Sequence, residues 1–190
     1  MNMSTKKVFY KNKDVKSWVH NIVRQMDKDC WRPDYIVGLT RGGLIPATML
    51  SHYLNVRMET LKVSLRDDCG CGPETNCWMA EDAIGYVNDD ERQENGGHTH
   101  LNSRRQNILI VDDINDTGHT LNWIRQDWEG TVAGVCSADE WGRIWGNNVR
   151  VAVCVNNEAS EFKDVDYRAL TINKMEEPIW CVFPWENWWE

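Results

Sequence analysis

Apolar side chains recur every three or four positions between Asp14 and Cys30, where Val15, Trp18, Val19, Ile22, Val23 and Met26 share one helical face behind a capping Asp14. The period then changes. Tyr35-Ile36-Val37-Gly38-Leu39 is a continuous apolar run too short for a helix, bounded by Pro33-Asp34 and Arg41-Gly42-Gly43, and it predicts a buried strand. Leu44 to Leu54 returns to helical spacing, and Val56 to Val63 is apolar enough for a second strand.

Residues 64–105 differ in character, being rich in Gly, Asp, Glu, Asn and Cys, with one helix-compatible stretch around Trp78 to Tyr86. A polar excursion of that length within a domain predicts a flexible lid loop. Asn107-Ile108-Leu109-Ile110-Val111 is β-branched and apolar, as a central strand is, and Leu121 to Trp128 reads as a helix. Gly130 to Asn148 admits two readings, a strand over Thr131 to Val135 or a short helix opened by the capping-box spacing of Ser137 and Glu140; the helix is favoured. Val149 to Val155 and Arg168 to Ile172 complete the strands. Strands alternating with helices predict an α/β fold. We expect a single domain over residues 1–190, built on a doubly wound parallel sheet, with ligands beyond the carboxyl ends of the strands.

Composition narrows the partners. Net charge is −8, from 21 basic and 29 acidic side chains, so no general attraction for nucleic acid or acidic lipid is expected, and a bound phosphate must be held locally. No apolar run approaches the ~20 residues of a membrane span, no apolar leader follows the lysines near Met1, and a cytoplasmic protein is expected. Seven scattered cysteines suggest reduced thiols rather than a disulfide framework. Cys69, Cys71 and Cys77 with His98 and His100 form a rival metal constellation, but their spacings match no standard zinc knuckle. Of the eleven tryptophans, most, including Trp188 and Trp189, are assigned to packing.

The densest chemistry follows the central strand: Asp112-Asp113-Ile114-Asn115-Asp116-Thr117-Gly118-His119-Thr120. A strand that ends in two carboxylates and turns through Gly into a helix places backbone N–H groups and two hydroxyls at a helix N-terminus, where orphan donors and the dipole favour a phosphate. The carboxylates stand where sugar hydroxyls or a hydrated magnesium ion can be held. Taken singly, Asp-Thr-Gly is often no more than a strand end and a helix cap. Its combination with the acidic pair, after a wholly apolar strand, favours a site.

Ile108 to Thr120 resembles, position by position, the signature of the type I phosphoribosyltransferases, enzymes that use 5-phosphoribosyl-1-pyrophosphate (PRPP). The resemblance implies that Asp116, Thr117, Gly118, His119 and Thr120 bind the 5′-phosphate, that Asp112 and Asp113 hold the ribose hydroxyls and magnesium, and that Asp116 is the catalytic base. Thr40-Arg41-Gly42-Gly43 looks like the family's pyrophosphate loop, with Arg41 supplying charge and Gly42 a close backbone approach. Ser64, at the start of the lid, keeps the hydroxyl common in such loops and by the resemblance binds PRPP. Trp180-Cys181-Val182-Phe183-Pro184-Trp185-Glu186 is similar to the W-x-x-x-P-W-D/E of the bacterial xanthine-guanine and hypoxanthine group. By that likeness residues 166–190 form a C-terminal hood in which Trp180 stacks on a purine, the Cys181 backbone reads the base edge, and Glu186 binds a second magnesium ion. Relatives carry a lysine after the strand corresponding to Val149 to Val155, where this chain has Asn156-Asn157; Asn156 is assigned to the base, and its amide can serve a 6-oxo or a 6-amino group. The expected partners are PRPP and a free purine base, in a homodimer, with Mg²⁺ as cofactor. The alternatives are another acceptor base, or a regulator that senses PRPP without turning it over.

Overall fold

The protein is described by a computed structural model covering residues 5–63, 76–85 and 104–189. Ser64, Cys69, Cys71, His98, His100 and most of the expected lid lie outside the described residues. In chain order the elements are β1 (Lys6–Phe9), α1 (Asn12–Lys28), β2 (Tyr35–Leu39), α2 (Leu44–Leu54), β3 (Arg57–Leu61), α3 (Cys77–Ile84), β4 (Ile108–Asn115), α4 (His119–Val132), α5 (Ala138–Ile144), β5 (Val149–Asn157), β6 (Tyr167–Ile172) and β7 (Ile179–Val182).

Five strands form one sheet in the order β3-β2-β4-β5-β6, with every neighbouring pair parallel. The continuous apolar runs follow from burial on both faces. Ile36, Leu109, Val111 and Ala152 point into a cluster with α1 and α2, whereas Tyr35, Val37, Ile108, Ile110, Val151 and Val153 point toward α3, α4 and α5. The alternation is the period of two that a pleated strand imposes. The result is an α/β/α sandwich, as the alternating pattern predicted.

Several boundaries differ from the sequence reading. Helix α1 begins before Asp14, with Lys11 at the N-cap position; Asp14 lies in the first turn, and its carboxylate accepts the Lys11 backbone N–H at 2.8 Å. An acidic side chain reaching back in this way satisfies an orphan donor and complements the helix dipole. Between Gly130 and Asn148 the helix is found: the Ser137 hydroxyl accepts the Glu140 N–H at 3.3 Å and opens α5. Trp128, Trp141 and Trp145 are buried together there and close one face of the core.

The end of the chain forms a layer of its own, although β6, which lies within the expected hood of residues 166–190, belongs to the main sheet. Strand β7 does not join that sheet but pairs in parallel with β1, placing Val8 opposite Cys181. This small sheet packs over the end of β5 and β6 through Phe183, Trp185, Tyr10 and Trp18, with Phe183 and Trp185 stacked at 5.0 Å. Trp188 and Trp189, assigned above to packing, are instead exposed by 77% and 66%, their rings meeting each other edge to face.

Candidate active site

After β2 the chain turns to β3 on one side, and it later crosses to β4 on the other. The loops that follow β2 and β4 therefore diverge and leave a crevice at the carboxyl end of the sheet. A cavity of about 340 Å³ occupies it. Its walls are the β2 loop from Leu39 to Gly42, the segment Asp112 to Leu121, and, from the hood, Lys174, Trp180, Cys181, Phe183 and Glu186. Three motifs far apart in the chain thus meet in one volume.

Helix α4 opens at Gly118, which sits at φ +89° and has no side chain with which to cap the helix; of the first-turn N–H groups, that of His119 donates to Thr117 Oγ1 at a long 3.4 Å. That leaves the helix start available to an anion. The turn is held rigidly from below. A β-carbon on Gly118 would lie 2.4 Å from the Phe162 nitrogen, so only glycine fits both the left-handed backbone and the space. Buried Asn115 donates to Asn156 Oδ1 at 2.8 Å and to the Phe162 carbonyl at 3.0 Å, and accepts from Ser160 Oγ at 2.7 Å. Buried Asn157 donates to the Asp116 carbonyl at 2.9 Å. These amides tie the loop before α4 to the turn after β5. Sequence alone assigns Asn115, Asn157 and Ser160 no structural role, although polar residues ending two adjacent apolar strands are the available signal.

Asp112 and Asp113 stand side by side at the mouth of β4, where the Asp113 N–H donates to Asp112 Oδ1 and the Ile114 N–H donates to Asp113 Oδ1, each at 2.9 Å. Both carboxyls are pushed above the usual carboxylate range by burial. For Asp112 the charge of Asp113 adds to this; for Asp113 the charge of Glu186 adds, against hydrogen bonds that pull the other way. A pair of desolvated acids facing a cavity fits a hard divalent cation. Among the described residues no group of three or more His, Cys, Asp or Glu is placed to hold a metal by itself. The donor set therefore suits Mg²⁺, which binds through one or two carboxylates and keeps water or substrate oxygens for the remainder.

Across the crevice, the Thr40–Arg41 peptide is cis and Arg41 is exposed on the cavity wall. A β-carbon on Gly42 would fall 1.9 Å from Asp113 Oδ2, so this backbone lies directly against the acidic pair. On the hood side, Trp180 is half exposed at the cavity and Cys181 is buried beside Tyr10. Burial raises the thiol pKa of both Cys154 and Cys181, which leaves neither activated as a nucleophile. The Glu186 carboxylate accepts the Phe183 N–H at 2.8 Å, closing the Pro184 turn while still lining the cavity. Asn156 does not line the cavity: its amide oxygen accepts from Asn115 Nδ2 at 2.8 Å. Lys174, absent from the sequence reading, reaches Asp116 Oδ1 at 2.8 Å.

Residues 9–127 match the profile of the phosphoribosyl transferase domain. The chain belongs to this family. The xanthine-guanine phosphoribosyltransferases of Cereibacter sphaeroides and Idiomarina loihiensis are 32% and 29% identical to it over 101 and 91 residues. These alignments cover 52% and 48% of this chain, and 48% and 46% of the relatives, so the chain spans about half the length of the relatives it matches. Among solved structures, the purine phosphoribosyltransferase of Pyrococcus horikoshii superposes with a TM-score of 0.61 at 21% identity, over 96% of this chain and 95% of that one. The shared fold thus extends through the hood.

Proposed function

We propose that the protein is a Mg²⁺-dependent phosphoribosyltransferase that moves the 5-phosphoribosyl group of PRPP to a free 6-oxopurine (hypoxanthine, guanine or xanthine), giving the nucleoside 5′-monophosphate and pyrophosphate. The observation that carries this reading is the single cavity in which the α4 start and the acidic pair face Trp180 and Cys181. Its volume lies within the range of small-molecule sites, and its two ends differ in chemistry as a sugar phosphate and a base do.

In the reaction the C1′–O bond to pyrophosphate breaks while a ring nitrogen of the base bonds to C1′, through a transition state of oxocarbenium character. The α4 N–H groups with Thr117 and Thr120 hold the 5′-phosphate, fixing C1′ between the two reactants. Asp112 and Asp113 take the ribose hydroxyls, and Arg41 with the Gly42 backbone takes the leaving pyrophosphate. Asp112, Asp113 and Glu186 would hold the divalent cation, which would supply positive charge against the departing pyrophosphate. Asp116 stands at the base edge as proton acceptor, Trp180 stacks on the ring, and the Cys181 backbone meets its polar rim. Relatives named as xanthine-guanine enzymes support a purine acceptor.

Pyrophosphate release from PRPP and Mg²⁺, measured separately with hypoxanthine, guanine, xanthine, adenine, uracil and orotate, tests the proposal. Release with the 6-oxopurines is expected. PRPP binding without release for any base would make the protein a sensor and refute the reading.

A further inference from the structure

Lys174 lies in the turn after β6, outside every motif of the sequence, yet its side chain lines the cavity and is only 18% exposed. Its ammonium is 2.8 Å from Asp116 Oδ1. The two partners are positioned by one buried amide: Asn157 Oδ1 accepts the Lys174 backbone N–H at 3.0 Å, and Asn157 Nδ2 donates to the Asp116 carbonyl at 2.9 Å. A long, entropically costly side chain is thus anchored at its backbone and aimed at the carboxylate placed above at the base edge. Trp180 and Cys181 line the same end of the cavity, whereas Arg41 belongs to the pyrophosphate loop.

We propose that Lys174 is the residue that selects a 6-oxo over a 6-amino purine, an inference that rests on the reading of the cavity as a base and sugar-phosphate site. The ammonium has three donors and no acceptor. With one N–H on Asp116, another is free to meet an acceptor on the same edge of the base as the nitrogen that faces Asp116. A purine's 6-oxo oxygen is such an acceptor. A 6-amino group presents hydrogens in that place, which oppose the ammonium and leave one of its donors desolvated and unpaired. Asn156 is not among the residues that line the cavity, so the contact falls to Lys174.

Calorimetric titration with inosine 5′-monophosphate, adenosine 5′-monophosphate and ribose 5-phosphate tests the assignment without requiring turnover. Wild type is expected to favour the inosine nucleotide. Lys174→Met, which keeps the length and loses the charge, is expected to weaken inosine monophosphate by roughly 10- to 100-fold, the worth of one hydrogen bond to a charged group. Adenosine monophosphate should hold its affinity or gain, ribose 5-phosphate should be unchanged, and Lys174→Arg should restore most of the preference. Lys174→Gln provides an independent variant should the methionine disturb the turn. Equal losses for both nucleotides, or none for either, would overturn the assignment. Selective inosine monophosphate binding by a wild type that releases no pyrophosphate would refute the transfer reaction and leave the role of Lys174 standing. Pyrophosphate release with hypoxanthine and adenine alike would do the reverse.

Discussion

Substitution of Gly118 by alanine isolates how firmly the loop before α4 is built. The residue sits at φ +89°, a backbone conformation that costs an L-residue about 1–2 kcal/mol. Its new methyl would also stand 2.4 Å from the Phe162 nitrogen, 2.6 Å from Ser160 Oγ and 2.9 Å from Phe162 Cβ. Two of those three atoms cannot swing aside as the tip of a long side chain could, because the turn that carries them is tied to Asn115. Overpacking of this kind typically costs about 1–3 kcal/mol. Together the two effects come to roughly 2–5 kcal/mol, which for a chain of this size lowers Tm by roughly 5–20 °C. Gly130 provides the control. It lies inside α4 with nothing within 4 Å of the place a β-carbon would take, so Gly130→Ala should be neutral or raise stability by up to about 1 kcal/mol. Scanning calorimetry on both variants measures the difference, and calorimetric titration with ribose 5-phosphate tells whether the surviving fold still binds phosphate. A Gly118→Ala protein as stable as wild type would refute the close contact between the loop and the turn after β5.

Asp116→Asn should abolish pyrophosphate release while leaving far-ultraviolet circular dichroism and Tm close to wild type, since the carboxylate is part of a partly exposed ion pair. Asn157→Ala removes hydrogen bonds to the Asp116 carbonyl, Ala159 N–H and Lys174 N–H, and should cost about 2–4 kcal/mol in urea unfolding with a marked loss of base affinity. Asp113, pushed up to about 6 by burial, takes up protons on folding between its ordinary 3.8 and that value, so the unliganded fold loses stability as pH rises through this window. Asp113→Asn should therefore be more stable than wild type at pH 7 by roughly 1–3 kcal/mol, with the gain vanishing below about pH 4 in thermal scans. Trp180→Ala, at a side chain half exposed, should raise KM for the base about tenfold or more with little change in Tm.

What was legible in the sequence is what short-range physics determines. The phosphate helix start lies within nine contiguous residues, and the strands before it declare themselves by apolar runs that only burial on both sheet faces explains. What was hidden depends on register. Asn115 meets Asn156 because β4 and β5 pair in parallel at that position, and only then is the amide oxygen of Asn156 engaged by Asn115. Lys174 sits in a polar turn with no periodicity and gains meaning only when the turn folds over Asp116. Strand β1, exposed at three of its four residues, shows no core pattern because its partner is the hood and not the main sheet. The surplus of tryptophans gave no sign that Trp188 and Trp189 would face outward.

The pairing of β1 with β7 joins segments from opposite ends of the described chain, with Lys7 beside Trp180. Closing so long a loop carries a large entropic cost that is recovered only after the intervening layers have formed. During synthesis the loop before α4 can assemble early, while the opposite wall of the cavity must wait for Ile179–Val182 to emerge. On the proposed function, nascent chains halted before that point would bind a phosphorylated sugar yet have nowhere to seat its acceptor.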